Sequence, residues 1–384
     1  MNGCIPLSEP SGLEHALELI RDCLHSSYVS SVGPLVDRFE EEFARTVGTR
    51  FAVATNSGTA AIHLALAALG VGAGDLVLCA DLSFIATANP VAYLGADIGL
   101  LDCASTGWGV DPSVLETALA QLDREGRRPR AVVVTHVLGE PADLPALSDC
   151  CERWGVPLVE DAAAALGSRY GQTAPSAAFR GRSVGSVGAL GCFSLNGNKI
   201  ITAGGGGVVT TDDPELAARV RHLSTQAKVK GADFLHDRVG FNYRMTSLAA
   251  ALALSQLAQL DEFVSARRRI RERYAAAIAD LPDCNLQPRF AWAEGNAWLT
   301  ALEVDPGRAD RLLRDLRAAK IQARPLWRPI SCQPPHRGSR VWGSGRAQAV
   351  AQRVVCLPSS ARLSPQDQSR VTARIRSSLT GVDP

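Results

Sequence analysis

Lys199 lies in the run GALGCFSLNGNKIITAGGGG, Gly188 to Gly207, behind an apolar stretch and Ser194 and ahead of four glycines. A lysine among small residues, beside backbone that can approach a ligand closely, is a candidate nucleophile. Partial desolvation lowers its pKa and frees the amine to attack an aldehyde. The plainer alternatives are a phosphate or carboxylate ligand, or a surface charge. Asp161 ends the apolar run VPLVED and is followed by four alanines, which leave room for a flat ligand against the backbone; the ordinary alternative is a helix-capping aspartate. Asn56-Ser57-Gly58-Thr59 leads into the alanine-rich AAIHLALAALG. The first-turn N–H groups and dipole of such a helix attract phosphate, although read alone this turn is ordinary N-capping. Ser194 adds a hydroxyl, and Phe84 (opening a helix after a strand end) has a ring that can stack on another.

Each signal is weak singly. Together they match pyridoxal phosphate, whose aldehyde needs a lysine, whose pyridine nitrogen needs an acid, whose phosphate needs a helix N-terminus, and whose ring needs a flat neighbour.

The elements that must position these residues read as an α/β fold. SGLEHALELIRDCLH (Ser11 to His25) and a segment starting near Pro34 have helical spacing, and FAVA (Phe51 to Ala54) is a short strand. DLVLCA, ADIGLLD, RAVVVTHVLG and VPLVEDA read as strands, with SFIATANPVAYLG and PADLPALSDCCERWG as helices between them. Alternating short apolar runs and helices predict a mostly parallel, seven-stranded sheet between helices, with ligands at the carboxyl ends of its strands. From Met245 a long helical stretch runs to Pro282, and shorter strands and helices follow. We expect a large domain over residues 1–249 and a smaller α+β domain over 250–384, the N-terminal helix being free to pack on the latter.

The totals narrow the class further. A formal net charge of +1 over 384 residues gives no electrostatic case for nucleic acid or membrane as the main partner. The densest basic run, ARRRIRER (Ala266 to Arg273), is expected on a solvated helix face. The ten cysteines lack CxxC spacing, and the start MNGCIPLSEP lacks a basic-then-apolar leader, so we expect reduced thiols in a cytoplasmic protein. No metal-ligand spacing is present, and no apolar run reaches transmembrane length. His63 is expected in packing, His136 either in the site wall or in structure, and Trp292, Trp298 and Trp342 in the core or rim of the small domain.

Over essentially its whole length the chain resembles the DegT-type sugar-nucleotide aminotransferases, which are fold-type-I pyridoxal-phosphate enzymes. The resemblance is carried by VSSVGPLVDRFEEEFA, NSGTAAIHLAL, SFIATAN, VEDAAAALGSRY, GCFSLNGNKIITAGGGG, GFNYRMTSLAAALALSQL, IQARPLW and LPSS. NGNKIIT is most similar to members that aminate the 4-keto carbon of 6-deoxy-hexosamine nucleotides. The resemblance implies that Lys199 is the Schiff-base lysine and proton shuttle, and that Asp161 pairs with the pyridine nitrogen. It implies that Gly58, Thr59 and Ser194 hold the phosphate, that Phe84 stacks on the ring, and that Ser57 and Asn196 also bind the cofactor. Asn242 would reach the cofactor of a neighbouring subunit, which implies a homodimer with shared sites. Tyr28, Ser30, Ser31, Arg324 and His336 fall where members meet a nucleotide-linked keto sugar, and the implied amino donor is L-glutamate or glutamine.

Two departures stand out. Ala164 occupies a position where the family often carries Gln, Glu or His near the ring hydroxyl, and the loop over residues 171–186 is longer than usual, a feature expected to shape substrate access or a dimer surface. Amination at C3 or of a non-nucleotide keto sugar stays open. A sugar dehydratase of the same family would carry histidine in place of Lys199. A non-catalytic regulator or a nicotinamide dehydrogenase would need the lysine and aspartate idle, and the glycines do not form GxGxxG after a strand.

Overall fold

A computed structural model describes residues 3–231 and 233–381. The large sheet contains β1 (Phe51–Thr55), β2 (Leu76–Ala80), β3 (Asp97–Leu101), β4 (Ala131–Thr135), β5 (Leu158–Asp161), β6 (Leu190–Ser194) and β7 (Gly207–Thr211). The first five are the strands read from the sequence, and Leu190–Ser194 and Gly207–Thr211 complete the expected seven. An eighth, Arg340–Trp342, comes from the C-terminal part of the chain and pairs parallel with β3 at the far edge. The order is β1-β7-β6-β5-β4-β2-β3 and then Arg340–Trp342; β7 alone runs antiparallel to its neighbours. The strands are buried on both faces, so they are continuous Val/Leu/Ala runs rather than alternating patterns.

The helices that position the site begin where the sequence places strong stop or start signals. Helix α1 (Leu17–Ser26) follows a 3-10 turn at Leu13–Ala16, and α2 (Pro34–Val47) starts on its proline. Helix α3 (Gly58–Ala68) is capped by Ser57, whose side chain accepts the Ala60 N–H. SFIATANPVAYLG is not one helix: a 3-10 turn at Ile85–Thr87 precedes α4 (Asn89–Tyr93), with Pro90 at the start of α4. The long helical stretch after Met245 is likewise two helices, α5 (Ser247–Leu257) and α6 (Leu260–Ile278).

A second sheet, antiparallel, carries Thr300–Glu303 at its centre between Val354–Leu357 and Asn285–Leu286, with Arg324–Pro325 at one edge. Its core joins Ile270, Tyr274, Leu302, Leu312, Val355 and Val371, together with Ile5 from the N-terminus. Relative to a division at residue 249, the chain exchanges pieces in both directions. Ile5 pairs with Ile321, and α1 and α2 pack on α5, while residues 330–347 return to the large sheet. Asp102 anchors that return by accepting the N–H groups of Ser344, Gly345, Arg346 and Ala347.

The basic run on α6 faces solvent only in part: Arg269 and Arg273 are exposed as expected, but the other arginines turn inward. Arg267 is buried and donates to Trp298 O, Arg268 to Gly295 O, and Arg271 to Gln287 O, so these residues clamp the second sheet's connecting segments. Long arginine stems pack like apolar groups while their heads find carbonyls, which a charge count does not register. All ten cysteines are free and most are buried.

Candidate active site

The ends of β1, β2, β4, β5 and β6 meet in a cavity of about 450 Å³. Asp161 is the last residue of β5, in register with Thr135 on β4 and Cys192 on β6. Lys199 sits in the turn after β6, its N–H bonded to Asn196 O. The Ser57 turn is brought beside Ser194 because Thr55 of β1 and Ser194 of β6 both face Gly207. Here glycine is a packing requirement: a Cβ at Gly207 would lie 2.4 Å from Ser57 O, and one at Gly58 would lie 2.7 Å from Ser194 Cβ. The four-glycine run therefore lets β7 start against the helix turn.

Lys199 is half-buried as a residue, but its amine points into the cavity and lies 4.1 Å from the centroid of the Trp298 ring. Desolvation lowers its pKa to about 8, while the nearby Asp161 pulls the other way. At pH 7.5 about a quarter of such amines are unprotonated, against roughly a thousandth for an ordinary lysine. Asp161 is buried and satisfied. Its Oδ1 accepts the Ala163 N–H at 3.1 Å and its Oδ2 accepts the Thr87 hydroxyl at 2.6 Å. Behind Thr87 stand Ser83 at 2.5 Å and then Thr135 at 3.0 Å from Ser83. Each hydroxyl has one proton, so the donations run in one direction, Thr135 to Ser83 to Thr87 to Asp161. That directed chain fixes where the Asp161 carboxyl points, toward the cavity floor shared with Lys199.

The floor continues with His136, whose Nδ1 accepts the Ala142 N–H at 3.0 Å. Its proton therefore sits on Nε2, 3.1 Å from Glu160 Oε2. His136 is thus both site wall and structure. His63 is packed against Phe241 and Tyr243.

Of the residues expected from sequence, Ser57, Gly58, Thr59, Phe84, Asp161, Ser194, Asn196, Lys199 and Arg324 all line this cavity. Phe84 is 55 % exposed and faces Trp327 at 6.3 Å, leaving its ring at the opening. Asn242 is exposed, on a segment hydrogen-bonded to Asn56, and is not among the lining residues of its own chain. Tyr28, Ser30, Ser31 and His336 do not line the cavity either. The Ser30 carbonyl accepts the Ser247 N–H, and His336 is occupied with Asn89. The 171–186 loop is also away from the cavity. It folds back under the sheet, where Gly185, Val187 and Gly188 donate to Glu160 and Gly171 bonds Trp292 O.

Sequence reasoning missed Thr87, Ser83 and Thr135, and it put Trp298 in a generic core. Ser83 and Thr87 carried a signal, two hydroxyls four residues apart just past a strand end. Trp298 and Trp327 carried none, because they arrive from the second sheet's segments more than a hundred residues after Asp161.

The residues fit pyridoxal phosphate on chemical grounds: a desolvated amine, a hydrogen-bonded carboxylate, and a capped helix N-terminus open into one cavity. The model for the DegT/DnrJ/EryC1/StrS aminotransferase family matches residues 10–376. The chain belongs to that family. It is similar to EpsN of Bacillus subtilis strain 168, described as a pyridoxal phosphate-dependent aminotransferase, at 36% identity over 97% of this chain and 95% of that protein. It is 34% identical to GDP-perosamine synthase of Caulobacter vibrioides over 93% of this chain and 94% of that one. The crystal structure of S. venezuelae DesV superposes with a TM-score of 0.88, at 31% identity and complete coverage of both chains. This member of the family is a pyridoxal-phosphate-dependent aminotransferase, a transferase of nitrogenous groups. Among the described residues no group of side chains could hold a metal ion, and no helix is long and apolar enough to cross a membrane.

Proposed function

We propose that the protein moves an amino group from L-glutamate or glutamine to C4 of a nucleotide-linked 4-keto-6-deoxy sugar, as a cytoplasmic homodimer. The observation that carries this reading is the sharing of one cavity by the Lys199 amine, the Asp161 carboxylate and Arg324. Arg324 brings a permanent charge suited to the diphosphate of a nucleotide sugar. The likeness to a GDP-perosamine synthase supports a nucleotide-linked substrate, and the NGNKIIT form supports C4.

Pyridoxal phosphate, when bound, supplies an electron sink and a carrier for the amino group. The chain supplies the rest. Asp161, oriented by the Thr87 hydroxyl and the Ala163 N–H, would pair with the pyridine nitrogen. Ser57, Gly58, Thr59, Ser194 and Asn196 would hold the phosphate, the first-turn N–H groups of α3 adding their dipole. Phe84 would flank the ring. Lys199 would hold the cofactor's aldehyde carbon at rest and, once its amine is free, would take and return one proton in each half-reaction. Ala142 and Glu160 hold His136 in one tautomer beneath the site. Asn242 serves the phosphate site of a second copy. Tyr28, Ser30, Ser31 and His336 stand outside the cavity walls and are not needed by this reading.

The test is a panel of keto-sugar nucleotides offered to protein first converted to its amine-loaded form by glutamate. Consumption of that form by a 4-keto-6-deoxy sugar nucleotide, and restoration of the visible absorbance, is the expected outcome. Turnover only with 3-keto sugars or with free sugars sinks the C4 assignment. Normal turnover by Lys199→Ala sinks the whole mechanism.

A further inference from the structure

Trp298 reaches the lysine from the other half of the molecule. It precedes the central strand of the second sheet, Thr300–Glu303, whereas Lys199 belongs to the large sheet. Three hydrogen bonds fix it. Its Nε1–H donates to Asn198 O at 2.6 Å, its backbone N–H to Asn296 Oδ1 at 2.8 Å, and its carbonyl accepts from Arg267 at 2.7 Å. The residue is only 3% exposed. Asn198 is the residue before Lys199, so the indole and the lysine are tied to the same turn. Ser8 adds a second bond to that turn, donating to Asn198 O at 2.9 Å. In this arrangement the Lys199 amine lies over the indole face.

We infer that Trp298 is a positioning residue for Lys199: its ring face is the seat of the free amine whenever the lysine is not bonded to the cofactor, and it favours the ammonium form there. The inference rests on the proposed role of Lys199 as the displaced and returning lysine. A proton shuttle must wait within reach of the atoms it serves, and a fixed seat removes the cost of finding them again. The face of an indole attracts a cation but cannot accept its proton. A carboxylate in that place would either take the proton or hold the ammonium too firmly. The charged and titratable groups facing the same cavity are Asp161, His136, Arg324 and Cys356, with Arg267 behind the indole. Burial lowers the amine's pKa and Asp161 raises it; the ring face adds to the second effect. The protein thereby keeps an amine that is dry yet able to hold a proton between taking and returning it.

The experiment uses the full-length protein freed of cofactor. The rate of acetylation of Lys199 by an N-hydroxysuccinimide ester is followed against pH by peptide mass spectrometry, and its midpoint reports the amine's pKa. Exposed Lys228, over Phe234, is an internal reference. In Trp298→Leu the midpoint moves down by about 0.5–1 unit, and in Trp298→Phe, which keeps a weaker ring face, by less. Loaded protein should show kcat reduced with KM for the donor nearly unchanged. A purely structural role predicts the opposite sign, because a loosened site admits water and raises the midpoint. An upward or absent shift in both variants overturns the inference. Should Trp298→Leu not fold, the sign in Trp298→Phe decides alone. Failure of the wild-type lysine to bond pyridoxal phosphate would instead overturn the aminotransferase mechanism, and that reading is taken independently of the midpoint.

Discussion

Glu160 and Glu140 are both deeply buried, and both lie close to His136, one bonded to it and the other four residues further along the chain. Glu160 accepts from His136 and from the N–H groups of Gly185, Val187 and Gly188. Glu140 has neither oxygen bonded, and Gly295 comes so close that a Cβ there would lie 2.2 Å from Oε2. Burial by itself raises both carboxyls. In Glu160 the His136 and backbone donors outweigh it and hold the group below its ordinary value. In Glu140 the attraction of Arg271, Arg289 and Arg268 does not, and the group stays raised. Depth therefore does not decide the charge of a buried acid; the donors aimed at it do. Asp161 resembles Glu160 in its bonding alone, with the Thr87 hydroxyl and the Ala163 N–H aimed at it.

The sharpest way to break this contrast is Glu160→Leu. It leaves three N–H groups and a histidine N–H unpaired in the interior, and should cost about 3–5 kcal/mol of stability in denaturant titrations. A loss below ~1 kcal/mol would mean that the donors are not supporting the carboxylate. In wild type, the stability due to Glu160 is present above its unfolded value of 4.5 and is lost as pH falls through the lower folded value.

Asp161→Asn comes next. It keeps the shape but removes the charge, and turnover should fall about 10²–10³-fold while the melting temperature barely moves. Equal falls in stability and activity would make Asp161 a structural residue. Thr87→Val cuts the hydroxyl chain at its last link. A loss of about 1 kcal/mol, or roughly 5-fold in turnover, is expected, and Thr87→Ser should restore most of it.

Glu140→Gln should change least. The raised carboxyl binds its proton more tightly in the folded state, so wild-type stability declines as pH rises from 4.5 toward the folded value. The glutamine variant lacks that slope and at neutral pH equals or exceeds wild type by less than about 1 kcal/mol. A wild-type melting temperature that rises over that window, with Glu140→Gln removing the rise, would place Glu140 with Glu160.

The strand and helix alternation, the capped α3 and the Lys199–Asp161–Ser57 set were legible because each is written locally. Strand ends close apolar runs, caps are hydroxyl residues at helix starts, and the carboxyl edge of a parallel sheet gathers the residues just past its strands. The break in SFIATAN was less legible, since helical spacing persists across Pro90 although the backbone does not. Arg267 was misread for a related reason: a charged residue on an amphipathic helix looks solvated until a neighbouring sheet offers it carbonyls.

By itself the sequence determined the residue types of the site and the family they belong to, because those motifs are short and contiguous. Tertiary structure alone decided what surrounds them. Trp298 against the lysine with Trp327 beside it, the three-hydroxyl chain to Asp161, and the opposite states of Glu140 and Glu160 all depend on segments far apart in the chain. Cation–π contact, hydrogen bonding and desolvation act over a few ångströms, and sequence separation carries almost no information at that range.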